Sequence, residues 1–170
     1  FCSVCRRSEA EVREALGGIA RRLTVLSAST PLPVTLGYRT PATLGADRIA
    51  AAAGAAAIAP GRTALVVDMG TAITYDVVTA DGRFIGGNIA PGIGMRLRSL
   101  HSFTARLPQV VGYGDTPLLG IDTATAMRAG AVRGVVAEIA YYRSCLPEGT
   151  NIVLTGGWAD RVSEFLDFPV

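Results

Sequence analysis

A carboxylate, a glycine and two hydroxyl side chains follow a short apolar segment, and these residue types suit the handling of phosphate. Residues 64–67 are apolar and partly β-branched, as in a buried strand, and they lead into Asp68, Gly70, Thr71 and Thr74. A glycine lets backbone N–H groups approach a bulky anion. The threonines add hydroxyl donors, and Asp68 can hold a cation that offsets phosphate charge. The same residues also suit an ordinary hairpin in which Asp and Thr satisfy nearby backbone groups.

The composition indicates one globular unit without a membrane span or a nucleic-acid surface. The 170 residues are 49% hydrophobic and 18% charged, with a net charge of +2, which allows a substantial core. The longest apolar stretch, residues 50–59, is rich in alanine and too short to cross a membrane. The arginines are scattered and aromatic residues make up 6%, which is not the pattern of a nucleic-acid-binding protein.

Missing residue types exclude several kinds of site. All 16 basic residues are arginine, so a lysine-bearing P-loop and lysine Schiff-base chemistry are excluded within this sequence. His101 is the single histidine, which excludes a two-histidine zinc site and favours a surface or packing role for that side chain. Cys2 and Cys5 have C-x-x-C spacing without a second pair, and with Cys145 the count is odd. We therefore expect structural thiols and a cytoplasmic protein.

Apolar periodicity and turn signals predict an α/β chain with a mixed sheet. Ser8 and Glu11 have capping-box spacing at the start of a helix that ends at Gly17, and Asp122 is a suitable N-cap for a long helix. Further helices are predicted over residues 44–57, 95–107, 123–143 and 159–166. Strands are predicted over residues 23–28, 64–68, 73–79, 83–89 and 151–155, and an extended loop over residues 30–41.

Taken together, the motifs resemble those of the type III pantothenate kinases, a family of the acetate and sugar kinase, Hsp70 and actin superfamily. The matching pieces occur in the family order across nearly the whole chain. They are Tyr38-Arg39-Thr40-Pro41, Leu44-Gly45-Ala46-Asp47-Arg48, Asp68-Met69-Gly70-Thr71-Ala72-Ile73-Thr74, Gly86-Gly87-Asn88-Ile89-Ala90-Pro91-Gly92, Leu100, Thr104-Ala105-Arg106-Leu107-Pro108, Asp122-Thr123 and Thr155-Gly156-Gly157. The resemblance implies an actin-like ATPase (ribonuclease H-like) fold. Residues 1–60 would be the remainder of a first subdomain and residues 61–170 a second.

The resemblance also implies a catalytic residue. Asp47 would be the general base that accepts the proton of the pantothenate primary hydroxyl during ATP-dependent phosphorylation to 4′-phosphopantothenate, the first step of coenzyme A biosynthesis. A positioned carboxylate typically contributes roughly 10²–10⁴-fold to such a reaction. A first-turn carboxylate favoured by the helix dipole is the alternative for Asp47.

Other positions match substrate and cofactor contacts of the family. The pantothenate pocket would be lined by Tyr38, Gly45, Ala46, Asp47, Arg48 and Thr123. Arg48 could instead pair with a neighbouring acid on the helix surface, Tyr38 could be merely packed, and Thr123 could be only a capping-region residue. Asp68 would bind a monovalent cation, K⁺ or NH₄⁺, and Thr71 would contact the phosphates of ATP, which is used with Mg²⁺.

One family motif is missing from this sequence. The family begins with a strand and an Asp-x-Gly-Asn-Thr phosphate turn, and no such segment precedes Phe1. We therefore expect a fragment truncated at its N-terminus, which alone would be inactive or poorly folded. The resemblance further implies a homodimer with the active site at its interface, and the small residues along 123–143 are candidates for the dimer surface.

Two other functions stay open. A non-catalytic regulatory relative, similar to transcription accessory factors of the family, would bind ATP without turnover. Another superfamily member, such as a sugar kinase or exopolyphosphatase, would share the turn at Asp68 but not the block at residues 38–48.

Overall fold

The computed structural model describes residues 8–19, 24–26 and 30–170. These form the helices α1 (Glu9–Leu16), α2 (Ala46–Ile58), α3 (Ile93–Ser102), α4 (Thr123–Ser144) and α5 (Ala159–Ser163), a 3-10 turn (Pro41–Thr43), and the strands β1 (Thr35–Leu36), β2 (Ala64–Met69), β3 (Ala72–Val78), β4 (Arg83–Pro91) and β5 (Asn151–Thr155). The strands make one mixed sheet in the order β1-β4-β3-β2-β5. Strands β2, β3 and β4 form an antiparallel meander, whereas β5 runs parallel to β2 and β1 parallel to β4.

Local signals explain where two of the helices begin. Ser8 and Glu11 form the predicted capping box at α1, in which each residue's side chain accepts from the backbone N–H of the other. Asp122 is the N-cap of α4, and its carboxylate accepts from the backbone N–H of Thr125 at 2.8 Å. Both starts are therefore set by the sequence immediately around them.

The two faces of the sheet carry separate cores. Leu65 and Val67 of β2 pack with buried residues of α3 and α4, whereas Ala64 and Val66 pack with α2. Successive side chains of a strand point to opposite faces. Asp68 therefore lies on the face covered by α2, and this assignment decides which polar side chains can meet.

Most of the predicted elements are confirmed, and several predictions are wrong in part. The helix predicted over 159–166 ends at Ser163, and Thr35–Leu36 forms a short strand within the loop predicted over 30–41. The helix predicted over 95–107 begins at Ile93 and ends at Ser102. Beyond its end, the hydroxyl of Thr104 donates to the carbonyl of Leu100 at 2.7 Å. Of the strand predicted over 23–28, residues 24–26 are not in a strand and the others lie outside the described residues. Cys2 and Cys5 also lie outside them, whereas Cys145 is an exposed free thiol.

None of the helices in the described part of the chain is both long and apolar enough to cross a membrane.

Candidate functional site

Three carboxylates meet where the first turn of α2 lies over the sheet. Asp47 is in the first turn of α2, Asp68 is near the end of β2, and Asp76 lies within β3. Asp76 pairs with Val66 across the antiparallel β2–β3 ladder, so it lies on the same face as Asp68. We call Asp47, Asp68 and Asp76 the acidic cluster.

Arg48 and Asp76 form a buried ion pair within this region. The Nε of Arg48 donates to both carboxylate oxygens of Asp76 at 3.0 and 3.1 Å, and its Nη2 donates to one of them. Arg48 is 6% exposed and Asp76 is fully buried. Burial raises the pKa of Asp76, and the bonds from Arg48 and Thr74 oppose that rise. The pKa of Arg48 is raised because the bonds to Asp76 outweigh the cost of its burial.

Two aromatic rings hold the other sides of this guanidinium. The Cζ of Arg48 lies 5.5 Å from the ring centroid of Tyr38 and 5.6 Å from that of Phe84. The two rings are 6.0 Å apart and meet edge to face. Cation–π contacts of this kind favour a guanidinium at this place. The structure therefore brings the predicted residues Tyr38 and Arg48 together. Arg48 does pair with an acid, but that acid is the buried Asp76 and not a residue on the helix surface.

Asp47 is half-buried and is oriented by its own helix turn. One of its carboxylate oxygens accepts from the backbone N–H of Arg48 at 2.9 Å. Gly45 is the N-cap of α2 and contributes no side-chain bond, and Ala46 is the first helical residue.

Asp68 lies in an environment that disfavours its negative charge. Burial raises the pKa of Asp68, and the charges of Asp47 and Asp76 raise it further. Its partner across the β2–β3 ladder is Thr74, and its partner on β5 is Thr155. Gly156 follows at φ +88°, and a Cβ there would lie 2.7 Å from an oxygen of Asp68. Only glycine suits both that backbone angle and that approach.

The charge environment of Asp68 would suit a cation, although the acidic cluster alone does not form a metal centre. A cation would offset the charge that burial and the two neighbouring carboxylates disfavour, and hard cations prefer oxygen ligands. Within the ranges the structure describes, no group of three or more His, Cys, Asp or Glu is arranged to hold a metal ion. A cation beside Asp68 would take its other ligands from hydroxyl or carbonyl oxygens, water or a bound phosphate.

The turn between β2 and β3 lies at the same end of the sheet as Asp68. Gly70 and Thr71 are exposed there, and the N–H of Gly70 donates to the carbonyl of Ala72 at 3.0 Å. Behind the turn, the N–H of Gly92 donates to the carbonyl of Thr71 at 3.0 Å. The Gly70–Thr71 turn is thus exposed and held by backbone hydrogen bonds, and the hydroxyl of Thr71 is available there to contact an anion.

Thr123 is not part of this constellation within one chain. It is exposed at the first position of α4, and α4 packs on the opposite face of the sheet from α2. The structure therefore brings together Tyr38, Gly45, Ala46, Asp47, Arg48 and Asp68 and leaves Thr123 apart from them.

Sequence reasoning missed Asp76. The signal was a carboxylate inside the otherwise apolar predicted strand 73–79. A charge at such a position is buried and needs a partner, and Arg48 provides it. The position of Asp76 also explains Gly87 of the neighbouring strand β4, since a Cβ there would lie 2.3 Å from an oxygen of Asp76.

The fold is that of a mixed α/β domain with a five-stranded sheet and flanking helices. The family described as type III pantothenate kinase matches residues 1–144. A type III pantothenate kinase of Phocaeicola vulgatus is 44% identical over 149 residues, which cover 86% of this chain and 62% of the relative. One of Bacteroides fragilis is 48% identical over 136 residues, covering 78% of this chain and 56% of the relative. The chain belongs to the type III pantothenate kinase family, and it spans about three fifths of the length of these curated relatives.

A solved structure shares the fold at lower identity. It is that of a conserved Campylobacter jejuni protein provisionally assigned to the Baf family of transcriptional activators. The TM-score is 0.62 at 23% identity, and the match covers 94% of this chain and 69% of that one. This likeness shows the fold alone.

Proposed function

We propose that the intact gene product transfers the γ-phosphoryl group of ATP to the primary hydroxyl of pantothenate. One observation carries the proposal: Asp47 and Asp68 lie together on the α2 face of the sheet, with the exposed Gly70–Thr71 turn at the end of β2 that bears Asp68. Membership of the type III pantothenate kinase family supports the choice of substrate.

Asp47 would be the general base of this transfer. Its carboxylate is half-buried at the start of α2 and already oriented by the N–H of Arg48. Phosphoryl transfer depends mostly on positioning and charge stabilisation, and a placed carboxylate accepts the proton as the alcohol attacks in line. The oriented side chain suits this role better than that of a residue serving only the helix dipole.

Thr71 would contact the ATP phosphates from the exposed Gly70–Thr71 turn. Asp68 would hold K⁺ or NH₄⁺ close to that turn. Its pKa, raised first by burial and then by the charges of Asp47 and Asp76, supports this assignment. When bound, Mg²⁺ with ATP and the monovalent cation would neutralise phosphate charge.

Pantothenate would lie against Tyr38, Gly45, Ala46 and Arg48. The Nε and Nη2 of Arg48 are used by Asp76, which leaves Nη1 outside the ion pair. We therefore propose that Arg48 offers a fixed hydrogen-bond donor, held by Asp76 and the ring of Tyr38.

Thr123 would enter the pocket from the second protomer of a homodimer. Within one chain it lies on the other sheet face, so a role beside Asp47 requires another copy. Helix α4 offers a surface for this contact, since Ala126, Gly130 and Ala137 are exposed at helical spacing. Close helix packing favours such small residues.

We also propose the finer description of the fold. A meander extended by the parallel strand β5 supports an actin-like, ribonuclease H-like arrangement. The division into subdomains at residue 60 and the cytoplasmic location stay predictions.

ADP release by the intact gene product tests the proposal. We expect release from ATP that depends on pantothenate and increases with potassium. A folded protein that binds ATP without turnover would contradict the kinase and favour the regulatory relative. Turnover with a sugar instead of pantothenate would favour another superfamily member.

A further inference from the structure

A series of contacts joins helix α4 to the Gly70–Thr71 turn. These contacts lie on the face of the sheet that is covered by α3 and α4, opposite the face that carries the acidic cluster. Their centre is Arg96, in the first turn of α3. The Nε of Arg96 donates to the carbonyl of Pro91 at 2.8 Å, and its Nη2 donates to both carboxylate oxygens of Glu138 at 2.8 and 2.7 Å. One guanidinium therefore bridges the end of β4 and the middle of α4.

The Pro91–Gly92 junction that Arg96 holds is in direct contact with the turn. Pro91 pairs with Ala72 in the β3–β4 ladder, and Gly92 donates its N–H to the carbonyl of Thr71. A Cβ on Gly92 would lie 2.3 Å from the carbonyl oxygen of Thr71 and 2.4 Å from that of Gly70. No space separates the junction from the turn, so a shift of one displaces the other.

Glu138 is itself held from the sheet. The hydroxyl of Tyr75 donates to Glu138 at 2.5 Å, and the ring of Tyr75 lies against that of Tyr142 of α4, tilted by 40° at a centroid distance of 4.7 Å. The side chains of Arg96 and Glu138 are 19% and 36% exposed. Because solvent screens a pair of this exposure, its main consequence is geometric: two oxygens of Glu138 and one carbonyl fix the guanidinium plane.

We propose that Arg96 is a positioning residue for the nucleotide-binding turn, and that Glu138 sets its position from helix α4. The inference rests on the proposed contact of Thr71 with ATP phosphates. Helix α4 also begins at Thr123 and carries the proposed dimer surface. The same contacts would therefore make the placement of the turn depend on the placement of the interface helix.

Two conservative variants of the intact gene product test this role. Arg96→Lys keeps the positive charge but cannot bond Pro91 and both oxygens of Glu138 at once. Glu138→Gln keeps the shape of the acceptor and removes its charge. Arg98→Lys is the matched control, since Arg98 is exposed on the same helix. The measurements are the Kd for MgATP by calorimetry, the KM for each substrate, and the melting temperature.

We expect Arg96→Lys and Glu138→Gln each to raise the Kd and KM for ATP by roughly tenfold, since small misplacements of binding groups have large effects. The KM for pantothenate should stay within about twofold, and Arg98→Lys should resemble the wild type. The double variant should lose little more ATP affinity than the worse single variant, because both changes break the same contact between Arg96 and Glu138.

Unchanged ATP affinity in folded variants would overturn the proposal. So would an equal loss of affinity for both substrates together with a lower melting temperature, which indicates a merely structural pair. If the wild type binds ATP but does not phosphorylate pantothenate, the proposed function fails while the ATP Kd values still decide this inference. A wild type that binds no ATP overturns both.

Discussion

Asp76 and Arg48 form a closed ion pair under the first turn of α2, with the Nε of Arg48 at 3.0 and 3.1 Å from the two carboxylate oxygens. The pair joins the helix that carries Asp47 to the strand next to Asp68. Because Arg48 pairs with Asp76, it does not pair with Asp47 or Asp68, the other two carboxylates of the acidic cluster. This excess of negative charge is the reason why we propose a cation at Asp68.

Breaking this pair from one side should destabilise the protein strongly. Asp76→Asn would leave the buried Arg48 charge without its counter-charge, which typically costs roughly 3–5 kcal/mol. Urea denaturation measures the change in the free energy of unfolding. Glu164→Gln is the matched control, because the Arg161–Glu164 pair is 33% and 56% exposed and should contribute less than about 1 kcal/mol. Similar losses for the two variants would contradict the importance of the buried pair.

Removing the proposed base should lower turnover and spare nucleotide binding. Asp47→Asn keeps the size of the side chain and its acceptor for the N–H of Arg48, but it cannot accept the proton. We expect the turnover rate to fall by roughly 10²-fold or more, with the ATP Kd nearly unchanged. Asp81→Asn, exposed in the hairpin at the opposite end of the strands, is the control. Activity within about threefold of the wild type would reject Asp47 as the base.

The potassium response should depend on Asp68. Asp68→Asn replaces a charged oxygen ligand by a neutral amide, so potassium should stimulate the variant much less than the wild type. Initial rates over a potassium titration, at constant ionic strength with a non-binding cation, measure the effect. A potassium response equal to that of the wild type would reject the assignment.

The Asp68→Asn variant should lose potassium response but gain stability in the absence of potassium. The pKa of Asp68 is raised above its ordinary value of 3.8 in the folded state by burial and by Asp47 and Asp76. The folded protein therefore holds this proton more tightly than the unfolded chain. The free energy of unfolding consequently falls as the pH rises from the ordinary pKa through the raised one, and Asp68 lowers stability at neutral pH. Without potassium, Asp68→Asn should melt at a higher temperature than the wild type at neutral pH. The difference should shrink near pH 4 and when potassium is added. A lower melting temperature at neutral pH would contradict the raised pKa.

The order of the elements was predictable because each has local signals. The capping residues Ser8 and Asp122 set helix starts, and the apolar strands on either side of the Gly70–Thr71 turn are adjacent in sequence. Strand β1 was not predicted, because its two residues have no signal of their own. They pair through Thr35, which donates to Gly82 at 2.9 Å, and through neighbouring Gly37, which donates to Phe84 at 2.8 Å.

The site was predictable only where its residues belong to contiguous motifs. Asp47, Arg48, Asp68 and Thr71 were selected in this way. The pairing of Arg48 with Asp76 depends on which strand face each side chain occupies, and a one-residue change of register would have placed Asp76 on the other face. The separation of Thr123 from Asp47 likewise depends on α2 and α4 packing on opposite faces, which the motifs do not encode.

The position of Thr123 leads to a complementation prediction. If Thr123 completes the pocket of the partner protomer, Asp47→Asn and Thr123→Ala damage different halves of one composite site. Each variant alone should be nearly inactive in the intact gene product. After unfolding and refolding an equimolar mixture, half of the dimers are mixed, and each mixed dimer has one site with both residues intact. We expect activity to recover to roughly a quarter of the wild-type value.

Sedimentation equilibrium on the same samples checks that dimers have formed, and a monomer at micromolar concentration would contradict the shared site. Mixed dimers without recovered activity would show that Thr123 serves its own chain, and an active Thr123→Ala variant would show that Thr123 only begins α4.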